Sequence, residues 1–260
     1  MMIVYIIIFC LLVAFSLRYN WWRMPQSYAK ARVLMYHSIS EHKGEKHDKW
    51  RVKPLDFEKQ MLWLSQNGFT SYKISELASL EQIPPKSVAI TFDDGYEDNF
   101  TNSFKVLQKY NLKATIYLVP NQTTNHWESS NTSHISPMLT HLQIKQMQSS
   151  GLIEFGSHTL SHENLSTLDD EILKAELLYS KIEISELTNS ACTAFAYPYG
   201  KFDERIINAT KEAGYTNAVV VKRGFYEAKD DKFSIKRIGV LGTESFFDFW
   251  LKFTRIRNKL

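Results

Sequence analysis

Cysteine is scarce in this chain: of 260 residues only Cys10, in the apolar N-terminus, and Cys192, just before a strand-like run, carry thiols. Two cysteines so differently placed exclude a disulfide framework, and they do not reveal the compartment. Charge of one sign is also lacking. The formal net charge is +3 and no basic stripe interleaved with aromatics spans the chain, so a nucleic-acid role has no support. Internal repeats and low-complexity tracts are absent. Long apolar runs are absent too, with one exception at the N-terminus.

That exception is Met1 to Leu17, almost wholly apolar, short for a spanning helix but extended by interfacial Tyr19, Trp21 and Trp22. No basic region precedes it, no small-residue cleavage signal follows it, and Cys10 lacks a lipoprotein box, so a retained anchor over 1–22 is expected. Residues 23–31 read as a linker and 32–260 as one catalytic domain, long enough for a single α/β barrel with a large core.

Apolar runs at Val33–Tyr36, Val88–Phe92, Ala114–Val119, Leu152–Phe155, Ala194–Tyr197, Ala218–Val221 and Ile235–Val240 alternate with helical patterns. Phe57–Asn67, Asn99–Tyr110, Leu168–Leu187 and Asp203–Ala213 are examples, the last stopped by Gly214. The alternation predicts parallel strands joined by crossover helices. Asn121 to Pro137 reads as a loop, and Trp127 inside it either stacks on a sugar ring or pins the loop to the barrel. Near the C-terminus Phe246, Phe249, Trp250, Phe253 and Leu260 share a helical face, with Lys252, Arg255 and Lys259 elsewhere on the helix. Such a helix either lies in a membrane interface or covers the barrel.

The chemistry sits in two polar clusters. Thr91-Phe92-Asp93-Asp94-Gly95-Tyr96 follows the run Val88-Ala89-Ile90, and Ser157-His158-Thr159-Leu160-Ser161-His162 follows Leu152 to Phe155, so both lie where short buried strands end. Neighbouring residues leaving a strand point in different directions, so Asp93 and Asp94 can divide two jobs: one binds a metal and the other accepts a proton from its water. His158 and His162, one helical turn apart, can converge on one ion. Two histidines and one carboxylate leave positions open for water and a substrate carbonyl. No glutamate lies between the histidines, so this is not the helical zinc-protease motif. Each piece alone also has a plainer reading, as a turn, a helix cap or a solvated helix face.

Together with Phe195-Ala196-Tyr197-Pro198-Tyr199-Gly200, these segments resemble the first three motifs of the NodB-type polysaccharide deacetylases, carbohydrate esterase family four, from about Arg32 to about Val240. The resemblance implies a distorted (β/α)7 barrel, here preceded by one transmembrane helix, and hydrolysis of acetamido groups on N-acetylhexosamines. It implies that Asp93 is the general base, that Asp94, His158 and His162 bind the divalent metal, and that the Tyr199 amide, after Pro198, lines the oxyanion site.

Two departures from the family matter. No histidine follows His162 to protonate the leaving amine; His37, ending the strand-like Val33-Leu34-Met35-Tyr36, resembles the acid of the circularly permuted PgaB and IcaB branch. A strand-end histidine can also simply hydrogen-bond a loop. Ala196 stands where an arginine often holds the base, and Arg237 in Ser234-Ile235-Lys236-Arg237-Ile238 is the candidate substitute. Trp127, Pro198 and Arg237 are grouped as the substrate side of the site. The remaining histidines, His42, His47, His126, His134 and His141, read as surface residues.

The expected protein is a single-pass enzyme of the cell inner membrane that uses zinc, or cobalt or nickel, on an N-acetylhexosamine polysaccharide. Arg18, Arg23, Lys30 and Arg32 favour a cytoplasmic domain by the positive-inside rule, whereas the resemblance places it on the periplasmic or extracellular side, which is the expectation adopted. The alternatives are a deacylase of a lipid-linked sugar or an O-acetyl ester, and a sugar-binding membrane protein without catalysis. An iron oxygenase could share the ligand set, but its jelly-roll strand pattern is not seen.

Overall fold

The computed structural model describes residues 1–19, 22–128 and 135–255. Trp21, His134, Lys259 and Leu260 lie outside these described residues. The chain runs α1 (Met2–Tyr19), β1 (Arg32–Tyr36), α2 (Pro54–Gln66), β2 (Thr70–Tyr72), α3 (Ile74–Ser79), β3 (Ser87–Phe92) and α4 (Lys105–Lys109), the last entered through a π-helical stretch at Asn99–Phe104. It continues with β4 (Ala114–Leu118), α5 (His141–Ser149), β5 (Ile153–Ser157), α6 (Asp170–Thr188), β6 (Ala194–Ala196), α7 (Glu204–Glu212), β7 (Asn217–Val220), β8 (Ile235–Lys236), β9 (Ile238–Gly239) and α8 (Phe246–Thr254).

The strands pair in the order β8-β7-β6-β5-β4-β3-β1-β9, all in parallel, with β2 beside the lower half of β3. Parallel strands covered on both faces carry unbroken apolar runs, and β1, β3 and β4 are buried along their whole length. The run expected over Ile235–Val240 is split at Arg237: β8 pairs with β7 and β9 with β1, so this one segment joins the two ends of the sheet. With β1, β3, β4, β5, β6 and β7 it makes the distorted (β/α)7 barrel. The short β2 and α3 were not apparent as apolar runs; α3 carries Ile74 and Leu77 into the base of the barrel as a plug.

Strand alternation sorts the core into two layers. Leu34, Ile90, Ile116, Phe155 and Phe195 face the helices, while Val33, Ala89, Tyr117, Ala194, Ala196 and Val219 fill the interior. The interior is narrow. A Cβ on Gly156 would lie 2.7 Å from the Tyr117 ring, so the bulk of Tyr117 is accommodated by a missing side chain opposite it.

Helix α8 covers the barrel. Phe249 and Phe253 are buried against Trp63 and Phe69, each contributing roughly 1.5–3 kcal/mol of apolar burial. Ser245 and Asp248 close a capping box at its N-terminus. Helix α1, by contrast, buries none of its residues.

Candidate active site

The polar machinery stands at the C-terminal ends of the strands, where parallel α/β folds leave loops free to diverge. Beyond β3, the Asp93 N–H still donates to the Tyr36 carbonyl at 3.0 Å, so Asp93 stays in the ladder and points inward. Asp94 then adopts φ 74° and turns away. The two carboxylates therefore diverge, as their adjacency predicts.

His158 likewise prolongs β5, its N–H on the Leu118 carbonyl at 2.8 Å. The expected helical turn between the histidines is not there. Residues 158–164 form a loop with Thr159 at φ 70° and His162 at φ 60°, and these left-handed residues, not helical pitch, bring the second imidazole back. Glu176 of α6, buried, accepts from the Leu160 and Ser161 N–H groups at 2.9 Å each and so fixes the loop. Of the eight non-glycine residues with positive φ among those described, four are Asp94, Thr159, His162 and Tyr199, all at this site.

Asp94, His158 and His162 bring one donor atom each within 4.8 Å of one another, all buried. His158 Nε2 lies 3.6 Å and His162 Nε2 3.3 Å from Asp94 Oδ1. The outer nitrogens are occupied: His158 Nδ1 meets the Ala196 carbonyl at 2.8 Å and His162 Nδ1 meets the Tyr199 hydroxyl at 3.1 Å. When each Nδ1 carries the proton, both Nε2 lone pairs face Asp94, the tautomer that metal-ligating histidines need. Burial, reinforced by the neighbouring His162, lowers the His158 pKa to about 4 and keeps it neutral. Burial pushes the Asp94 carboxyl up, but the His162 hydrogen bond and charge outweigh it and hold the group well below the usual carboxylate range. An ionised carboxylate and two imidazoles converging on one point fit a divalent cation.

Asp93 is held differently. Arg237 grips it with both arms, Nη1 on Oδ1 at 2.6 Å and Nη2 on Oδ2 at 2.8 Å, while Nη1 also reaches Thr91 Oγ1 and Nε donates to the Val220 carbonyl. Burial raises the Asp93 pKa and the guanidinium more than reverses it, so the carboxylate stays ionised. Arg237 itself is 1 % exposed. Its guanidinium is thus spent on the Asp93 carboxylate, the Thr91 hydroxyl and the Val220 carbonyl. Pro198 is also buried and shapes the turn beneath Tyr199.

A cavity of about 360 Å³ opens over these groups, lined among others by His37, His47, Trp50, Trp127, Tyr199 and Val221. The His37 ring lies against Trp50 at 4.6 Å; its carbonyl accepts from Asn99 Nδ2, and its Nδ1 is buried with no hydrogen-bond partner among the described residues. Trp127 stacks on His162 at 4.7 Å and 17°, so it both pins its loop to the barrel and walls the cavity. His47 is not the surface residue expected, since it lines the same cavity. Trp50, Glu176 and Asn99 escaped the sequence reading as well.

A parallel barrel with a buried carboxylate–imidazole cluster and a second, arginine-held carboxylate facing one cavity has the groups for metal-assisted acid–base chemistry. The comparisons narrow the class. A family model described as polysaccharide deacetylase matches residues 81–218. The Bacillus subtilis (strain 168) protein YxkH, named as a polysaccharide deacetylase, is 31% identical over 223 residues, 84% of this chain and 74% of that protein. The poly-β-1,6-N-acetyl-D-glucosamine N-deacetylase of Staphylococcus epidermidis is 28% identical over 212 residues, 77% of this chain and 72% of that one. A Bacillus cereus polysaccharide deacetylase structure superposes with TM-score 0.75 at 28% identity, covering 86% of this chain and 69% of that one. The chain belongs to the polysaccharide deacetylase family, hydrolases of non-peptide carbon–nitrogen bonds.

Proposed function

We propose that this protein removes acetyl groups from N-acetylhexosamine residues of a cell-surface polysaccharide, from a barrel tethered by α1 on the outer side of the membrane. The observation that carries this reading is the division of labour between adjacent carboxylates: Asp94 joins His158 and His162, while Asp93 is clamped by Arg237 under the same cavity.

A divalent cation, zinc in the first place with cobalt or nickel as alternatives, would be held by Asp94, His158 and His162, polarise the amide carbonyl and ease loss of a proton from water. Asp93 takes that proton as the water oxygen bonds to the carbonyl carbon. Arg237 keeps the base ionised and aimed. The Tyr199 amide donates to the developing oxyanion. His37, which lines the same cavity, serves as the acid that delivers a proton to the sugar nitrogen as the C–N bond breaks, releasing acetate and a free amino sugar. Trp127 offers an aromatic wall to the sugar ring.

The test is acetate release by the purified, metal-supplemented chain from β-1,6-linked N-acetylglucosamine oligomers, chitin oligomers and peptidoglycan, with and without chelator. Release from at least one, abolished by chelator, is expected. No release from any, with release instead from a lipid-linked N-acetylhexosamine or an O-acetyl ester, would move the substrate; no release at all would leave a binding protein.

A further inference from the structure

Helix α8 has a second face. Phe249 and Phe253 are buried, yet Phe246 and Phe247 remain 39% and 40% exposed, with Phe247 stacked on Trp250 at 5.8 Å. Exposed apolar side chains alone would not single out this helix, because α6 also exposes Tyr179. What distinguishes α8 is where α1 ends. Tyr19 meets the Phe247 ring edge-on at 5.3 Å and Arg18 lies 3.5 Å from Asp248.

The segment after α1 is also tied to α8. Gln26 N–H donates to the Thr254 carbonyl, and Arg255 Nε donates to the Arg23 carbonyl while its guanidinium lies 4.7 Å from the Trp250 ring centroid. A loose tether would show no such ties. Aromatic side chains ringed by Arg18, Arg23 and Arg255, continuous with an apolar helix, have the composition of a membrane-interface belt, with rings at headgroup depth and guanidinium groups toward lipid phosphates.

We infer that the outward face of α8 is a membrane-docking surface that seats the barrel on an anionic lipid bilayer beside its own anchor. The inference rests on the reading of α1 as a membrane anchor. Arg32, at the N-terminal end of β1, donates to the carbonyls of Gln26, Ser27 and Lys30 and to that of Phe253, so the segment after α1 and the C-terminal end of α8 are fastened to the same strand of the barrel.

The test uses the full chain in vesicles of phosphatidylcholine and phosphatidylglycerol, with an environment-sensitive NBD thiol label and doxyl-lipid quenchers. Native Cys10, in α1, reports the anchor, and buried Cys192 stays unlabelled. In a Cys10→Ser background, Phe247→Cys reports α8 and Tyr179→Cys reports α6, which packs on β5 across the barrel from β1. Lipid quenching at 247 is expected to exceed that at 179 by about twofold or more, as for a side chain at the headgroup–acyl boundary. A label at 247 as wet and unquenched as that at 179, with Cys10 quenched, overturns the docking surface and leaves the anchor. Unquenched Cys10 overturns the anchor and the inference together. A label at 247 shielded from water only at high protein density, without lipid quenching, overturns it in favour of contact between copies.

Discussion

The two ends of this barrel hold buried polar residues under opposite conditions. At the base, Thr115 receives the Ile74 N–H and donates to Glu154 Oε2 at 2.8 Å, while Ser75 connects to Glu154, Thr193 and Asn217. That cluster is closed on itself, apart from Asn217 Oδ1, which has no hydrogen-bond partner among the described residues. At the mouth, the arginine-held Asp93, the Asp94–histidine cluster and His37 all line one cavity, on a backbone bent into positive φ at four residues. Buried polarity by itself is not a site. A site needs polar groups whose remaining valences point at one space, and the strained backbone at the mouth is what directs them there.

The largest break in this contrast comes from the ligand cluster. Asp94→Ala, His158→Ala or His162→Ala should each take metal content and acetate release to background, because each removes one of three protein donors; elemental analysis beside the activity assay checks both. Full turnover in a metal-free preparation would end the mechanism. Asp93→Asn should keep its metal while turnover falls by roughly 10²- to 10⁴-fold, since an amide cannot take the proton. Parallel loss of metal would mean the roles of the two aspartates are exchanged.

Arg237→Gln should act through Asp93. With the guanidinium gone, burial dominates and the carboxyl pKa rises, so the acid limb of kcat/KM moves to higher pH. Stability follows the same sign: the depressed Asp93 pKa stabilises the wild type above the unfolded value of about 3.9 and that contribution is lost as pH falls through the folded value. The variant should therefore lose about 3–5 kcal/mol near neutral pH, read by urea unfolding, with less difference in acid. An unshifted acid limb would exclude Arg237 as the group that tunes the base.

The smallest effect on chemistry should come from the base. Thr115→Val strands the Ile74 N–H and one Glu154 contact, costing roughly 1–3 kcal/mol of stability, while kcat/KM of the folded enzyme stays unchanged. A matching loss of kcat/KM would show that the two ends are coupled.

Much of the mouth was legible because its motifs are local. Asp93-Asp94 at a strand end had to diverge, and His158 and His162 had to lie near each other whatever joined them. The joining geometry was not legible, since a helix and a loop with two left-handed residues share the same spacing. Arg237 could be suspected only through Ala196, where the family's arginine is missing. That it grips Asp93 depends on β8 and β9 parting at that residue to join opposite ends of the sheet, which no local pattern records. His47 and Trp50 were illegible for a related reason. Their loop reaches the cavity by lying on Gly242, where a Cβ would come within 1.9 Å of the Arg51 carbonyl oxygen, so the approach is set by a glycine about two hundred positions away. Glu176 reads as an ordinary polar position of α6 until the histidine loop is folded over it.

The claim that the mouth forms one acid–base site is tested most directly at His37, which comes from the first strand of the barrel and faces groups from later ones. Turnover of His37→Ala should be compared on an N-acetylhexosamine oligomer and on an activated aryl acetate, with metal content measured in the same samples. An amine leaves poorly unless protonated, whereas a phenolate leaves unaided, so the amide reaction should suffer more by roughly 10²-fold, with metal unchanged. Equal losses on both substrates with metal retained would contradict the acid role and leave His37 as a residue that only positions the substrate.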